Sequence, residues 1–350
     1  MRIKKKILLF LLEIFYRAKG FEFAFYLRNF FEKRVMILMF HRVCDGSAVG
    51  LPTISISKKN YLEFIKLLCK FFKAFSPEDL LQAHKSGKTL PANAIMLTFD
   101  DAYEDAYQHG VKFLVERAIP ATVFPVTMAL REQAIYWWDV VYGILRYTNL
   151  EMPIWSDLKP YLNGELQMRF HNIFIIPQQH RTAEILRLIE HIKHLNMNLI
   201  NEITEHLYES YNCHLRKIHG PIARSMSLEA LRELESKGCT VGSHTVTHNF
   251  LDKIPPAAVK AELFESKAQL QEITGKVITA FAYPAGLYNL EVIKQVQECG
   301  YVLGFTTKEG TNYGQQNYLE LSRINIWDGF VCNDTGRFSP SLALWRLFIS

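Results

Sequence analysis

"MLTFDDAYEDA", Met96 to Ala106, sets two adjacent carboxylates, Asp100 and Asp101, directly behind an apolar run that reads as a buried strand. Side chains on a strand alternate between faces, so a strand continuing through both acids would drive one charge into the core. The pair therefore marks the place where strand gives way to loop, a position that favours chemistry over packing. Other short apolar runs surround this one: "VMILMF" (Val35 to Phe40), "ATVFPV" from Ala121, "CTVGS" from Cys239, "VITAFAY" from Val277, "YVLGFT" from Tyr301 and "LSRINI" from Leu321. With "AIMLTF", ending at Phe99, they make seven candidate strands.

Helical patterns with recognisable ends separate most of them. Ser76-Pro77-Glu78-Asp79 offers an N-cap, a proline in the first turn and acids for the helix dipole. Ser227 opens a second helix, closed by Gly238; a third runs from Pro255 to Thr274 and stops at Gly275; a fourth runs from Asn289 to Gly300. Strands alternating with helices predict an α/β fold of parallel strands wrapped by helices. Seven of them suggest an incomplete (β/α) barrel, although strand counting by itself also admits an open sheet. From about residue 130 to 225 the alternation stops, and "RTAEILRLIEHIKHLNMNLINEITEHLYESY" carries apolar residues at three- and four-residue spacing. That stretch is expected to be a helical insertion within a barrel domain spanning 35–350.

The chain has 350 residues, 49% of them hydrophobic, enough for a large core. Its 40 basic and 35 acidic residues are dispersed, a balance too mild to point to nucleic acid. Six cysteines lie far apart with no C-x-x-C spacing, which fits reduced thiols in a cytoplasmic protein better than a zinc ribbon or redox motif. The first segment, 1–34, begins "MRIKKKILLFLLEIFYRAKG". Its basic start and apolar run look like a secretory signal, but Glu13 interrupts the run and no small-x-small cleavage site follows. It reads as an amphipathic helix that packs on the domain or lies peripherally on a membrane surface, with secretion left open.

"GSHTVTHNF", Gly242 to Phe250, follows the strand candidate at Cys239 and spaces His244 and His248 four residues apart, so both imidazoles can face one point. Each motif alone is weak. An isolated histidine is commonly core or surface furniture, and Asp101 could simply cap a helix starting near Tyr103. Topology brings them together: the carboxyl ends of parallel barrel strands converge on one face, where active sites form. Two nitrogens and one carboxylate make a three-donor catalytic site with an open position for water. The second acid then has a task as general base toward that water.

These residues resemble the polysaccharide deacetylase family, carbohydrate esterase family four. "TFDD" at Thr98–Asp101 is similar to its first motif, His244–His248 to its second and "FAYPAG" at Phe281–Gly286 to its third, over a span from about Val35 to Trp327 without the insertion. The resemblance implies a distorted (β/α) barrel that removes acetyl, or sometimes formyl, groups from amino sugars of a polysaccharide or a lipid-linked glycan precursor. It implies that Asp101, His244 and His248 hold a divalent metal, most naturally zinc, and that Asp100 is the base. The backbone N–H of Ala285 would stabilise the oxyanion, and Tyr283 and Pro284 would border the substrate. Three positions depart from the pattern: Ala102 replaces the glycine after the acid pair, Ala282 stands where an arginine often pairs with the base, and Arg323 occupies the place of a late histidine acid. "MFHRV" resembles the branch whose N-terminal Tyr/Phe-His supplies the acid, which implies His41 as proton donor, with Arg323 or Arg42 as the charge partner of Asp100. In "YWWDVVYG" (Tyr136 to Gly143), Trp138 could stack on sugar rings or anchor the core. A glycan-binding or assembly protein that keeps the barrel without activity is the alternative. No H-E-x-x-H and no G-x-S-x-G is present, so a zincin peptidase and a serine hydrolase are disfavoured.

Overall fold

The computed structural model describes residues 2–32, 34–44, 50–86, 90–91, 93–147, 162, 164–219, 224–312 and 317–350. Ten strands occur among them: β1 (Met36–Phe40), β2 (Arg42–Cys44), β3 (Ser55–Ser57), β4 (Lys73–Ala74), β5 (Ala94–Asp100), β6 (Thr122–Phe124), β7 (Thr240–Val241), β8 (Ala280–Ala282), β9 (Leu303–Phe305) and β10 (Ile324–Asn325). Every one of the seven apolar runs forms a strand. The main sheet runs β10-β1-β5-β6-β7, all parallel, with β4 beside the start of β5. A parallel bridge between Ser243 and Phe281 leads from β7 to the parallel pair β8–β9. A second, between Phe305 and Leu321, leads from β9 into the chain segment that becomes β10. The seven main strands thus form a distorted ring, with bridges where a regular barrel has full ladders. The pair β2–β3 and the two-residue β4 lie outside this ring and have no periodic signature in the sequence.

The alternation of β5 decides what enters the ring. Met96 packs with Ile37, Phe124, Ala280, Ala282, Leu303, Phe305 and Leu321 in one apolar cluster. On the opposite face Phe99 stacks on Phe40, ring centroids 5.1 Å apart, beside Tyr61 of the helix Lys58–Phe71. Thr98 and Asp100 share the parity of Met96 and point inward at the carboxyl end. Around the ring the helix ends are capped by the residues that signal them. Ser76 and Asp79 exchange hydrogen bonds at the start of Pro77–Ser86, Ser227 caps Leu228–Ser236, and Asn289 caps Leu290–Glu298. Gly275 ends Pro256–Thr274 at φ 69°, a left-handed conformation that costs glycine little.

The N-terminal segment is two helices, α1 (Arg2–Arg17) and α2 (Gly20–Glu32), rather than one. The break falls at Lys19, which turns to φ 57° directly before Gly20. Residues Met1–Ala48, Pro52–Glu132 and Met226–Ser350 form one compact unit, so these helices belong to the barrel body. The other unit comprises Val49–Leu51 and Gln133–Ser225 and contains the helices Trp137–Tyr147, Gly164–Ile175, Thr182–Ile192 and Met197–His219. Its core includes Ile185, Leu188, Ile189 and Ile192, the three- and four-residue spacing expected of a helix packed on one face. No described helix is long and apolar enough to cross a membrane.

Candidate metal and catalytic site

Asp100 is the last residue of β5, and Asp101 leaves the strand at φ 65°. This left-handed turn, continued at Ala102 (φ 52°), lets neighbouring acids address one site instead of opposite faces. The alanine adopts the conformation for which a glycine is usual there, and its carbonyl accepts a hydrogen bond from the Met226 N–H at 2.8 Å. The N-cap of the short helix Glu104–Ala106 is Tyr103, which makes no side-chain capping bond.

The histidine loop begins two residues past β7. Thr245 and His248 are left-handed (φ 69° and 62°), and the Thr245 hydroxyl accepts a hydrogen bond from the His248 N–H at 2.9 Å. Nε2 of His244 and Nε2 of His248 each lie 3.5 Å from Oδ1 of Asp101. One donor atom from each of the three residues falls within 4.8 Å of the others, and all three side chains are buried. The Nδ1 of His244 lies 2.8 Å from the Ala282 carbonyl oxygen, which accepts its proton and leaves the Nε2 lone pair for a ligand. Burial is the main force lowering the pKa of both imidazoles, that of His248 well below its usual value, so both stand neutral, as metal ligands must. Donors about 2.0–2.1 Å from a tetrahedral zinc ion lie some 3.3 Å apart. The residues present therefore fit such an ion.

One further residue holds this loop. Glu262, on the helix Pro256–Thr274, accepts hydrogen bonds from the backbone N–H groups of Val246 (2.7 Å) and Thr247 (3.0 Å), from the Thr247 hydroxyl, and from the Asn249 amide (3.1 Å). It is buried beside Val259, Leu263 and Ser266 on the inward stripe of its helix. An acid on an otherwise inward-facing stripe is the sequence signal that could have found it.

Asp100 faces Arg323, which lies two residues past the bridge at Leu321. Both guanidinium NH2 groups donate to the carboxylate at 2.7 Å, while Nε donates to the Thr306 carbonyl at 2.8 Å. Burial works to raise the Asp100 pKa; Arg323, with His244 and His41, overrides it and holds the carboxyl at about 2. Arg42 is committed elsewhere, donating twice to Asp105 at 2.8 and 2.9 Å. Of the two arginines, Arg323 is the charge partner of Asp100. His41 stands one residue past β1, half-buried, where its charge acts on both Asp100 and His248.

The residues expected to border the substrate are more deeply set. Tyr283 is buried, and its hydroxyl donates to the Leu319 carbonyl at 2.9 Å; Pro284 is buried as well. Ala285 turns left-handed (φ 52°) in the single turn Pro284–Gly286 just beyond β8. Trp138, in the helical unit, is buried with its indole stacked on Tyr136 at 4.7 Å and 6°, a packing environment and not an exposed platform.

Comparison with known proteins agrees with this geometry. The polysaccharide deacetylase family model matches residues 87–152 and 189–304. A Bacillus subtilis protein, YxkH, itself described only as a candidate polysaccharide deacetylase, is 28% identical over 310 residues, 88% of this chain and 77% of that one. Among solved structures, the Streptococcus pyogenes deacetylase PplD superposes with a TM-score of 0.56 at 18% identity, covering 90% of this chain and 98% of its own. IcaB from Ammonifex degensii superposes at 0.53 and 17%, covering 89% and 97%. With half of its length matched by one family model and the motif residues gathered at one end of the ring, the chain belongs to the polysaccharide deacetylase family.

Proposed function

We propose that this protein is a metal-dependent hydrolase that removes N-acetyl, or N-formyl, groups from amino sugars of a polysaccharide or of a lipid-linked glycan precursor. The observation that carries the reading is the Asp101 oxygen set 3.5 Å from two imidazole nitrogens, one residue along from an acid that is separately charge-paired. Asp101, His244 and His248 would hold the ion. Zinc is the ion this donor set suits, and when bound it would supply Lewis acidity toward the acyl oxygen and lower the pKa of a water from about 15.7 toward 7.

The rest belongs to the chain. Asp100, kept ionised and oriented by Arg323, accepts a proton from the water as its oxygen attacks the acyl carbon. A carboxyl with so low a pKa is a weak base but gives the proton up readily, which suits a relay. The Ala285 N–H donates to the oxyanion as the carbonyl double bond opens. His41, protonated, gives its proton to the amine nitrogen as the C–N bond breaks, releasing a free amine and a carboxylate. Proton exchange between Asp100, His41 and solvent restores the starting state.

Acetate release from N-acetylated oligosaccharides, measured with zinc-loaded protein, after chelation, and for Asp100→Asn, tests the proposal. Release by the loaded wild type that chelation abolishes and Asp100→Asn lowers by about 10²–10⁴-fold is expected for a lost general base. Loaded protein that releases neither acetate nor formate from any N-acylated sugar overturns it.

A further inference from the structure

We infer that the outward face of the N-terminal helices is a docking surface for an anionic lipid bilayer, which the protein would meet side-on without crossing it. Helix α1 is held to the body from within. Leu12 is buried, Glu13 accepts a hydrogen bond from the Ser341 hydroxyl of the C-terminal helix Pro340–Ile349, and Phe15 packs edge-on to the buried Phe21 of α2. Phe25 of α2 in turn packs against Phe72 and Phe348 at 5.1 and 5.6 Å. With that inner side occupied, a soluble helix would turn polar residues outward. Here the outward residues are Ile7, Phe10, Leu11 and Ile14, each about half or more exposed, with Phe23 of α2 also open at 65%. Their spacing of three and four makes one continuous apolar strip along α1.

Charge identifies the occupant. Helix α1 contains Arg2, Lys4, Lys5, Lys6 and Arg17 against the single acid Glu13, which is tied up with Arg17 and Ser341, and Lys19 follows at once. A second copy of the chain would bring two such basic helices together, which opposes self-association. An apolar strip on a helix of strongly basic sequence that is too short to span is what an anionic interface attracts, by burial of the strip and by charge.

Sedimentation of the full-length protein with vesicles separates the outcomes. Binding to phosphatidylcholine vesicles containing phosphatidylglycerol, at least tenfold weaker to phosphatidylcholine alone and weakened by salt, is expected. Leu11→Glu combined with Ile14→Glu should reduce the binding at least tenfold, with the thermal midpoint and any hydrolysis of soluble oligosaccharide unchanged, since both residues point away from the body. Equal binding by that variant, no binding to either vesicle, or a wild-type dimer that the variant converts to monomer would each overturn the inference. Because the soluble-substrate assay stands apart, failure here leaves the proposed reaction untouched.

Discussion

Replacing Arg323 with methionine removes the counter-charge of Asp100 at little cost in volume, and the structure fixes how much that should matter. Two hydrogen bonds to a buried carboxylate are lost, at about 1.5–3 kcal/mol each, and Thr306 loses a donor. Breaking a buried ion pair from one side costs about 3–5 kcal/mol, a large share of the roughly 5–15 kcal/mol that holds a typical domain together. At about 2–4 °C per kcal/mol, the thermal midpoint should fall by some 6–20 °C. Metal-free, chelator-treated protein is the sample, with calorimetry as the assay. The pH dependence has a definite sign. In the wild type the Asp100 pKa is lowered to about 2 from 3.8, so its stabilisation is complete above about pH 4 and disappears as the pH falls through about 2. Without Arg323, burial is opposed only by His244 and His41, so that pKa rises and the gap to wild type narrows on acidification. Asp100→Asn added to Arg323→Met removes the stranded charge and should recover part of the loss. A double variant no more stable than Arg323→Met, with a gap independent of pH, would refute the ion-pair reasoning.

His41→Ala should lower acetate release by about 10²-fold or more while bound zinc, measured by elemental analysis, stays at the wild-type level, since proton donation and not coordination is lost. Unchanged release would remove His41 from the mechanism. Glu262→Ala frees two backbone N–H groups and the Thr247 and Asn249 side chains that hold the histidine loop, so zinc affinity, read by competition with a chromogenic chelator, should drop about 10–100-fold. Glu262→Gln keeps an acceptor and should recover part of that affinity; equal affinities for all three proteins would show that the loop holds its shape without the carboxylate.

The ring was legible because its strands are apolar runs bounded by strong helix signals, and period-two alternation carries Asp100 to the inside. Short pieces such as Lys73–Ala74 were not, since two residues carry no period and pair only because β5 is already in place. Local spacing located the donor residues, yet it could not choose between Arg42 and Arg323 for Asp100. That choice depends on which end of the chain closes against β1 and on Asp105 claiming Arg42. Glu262 escaped notice because an acid within a helical pattern is read as solvent-facing, and only the docked loop shows why it turns inward. The N-terminal segment divides at Lys19 directly before Gly20, a glycine of the kind that closes other helices of the chain.

The guanidinium that balances Asp100 arrives with the segment completing the ring, some two hundred residues after the acid it serves. A ribosome-bound chain that has emerged only as far as β9 already contains every proposed donor to the ion, yet its proposed base has no countercharge. Competence and topological completion are thereby one event: a nascent or C-terminally clipped chain could gather the ion's donors and still lack a settled carboxylate to work beside them.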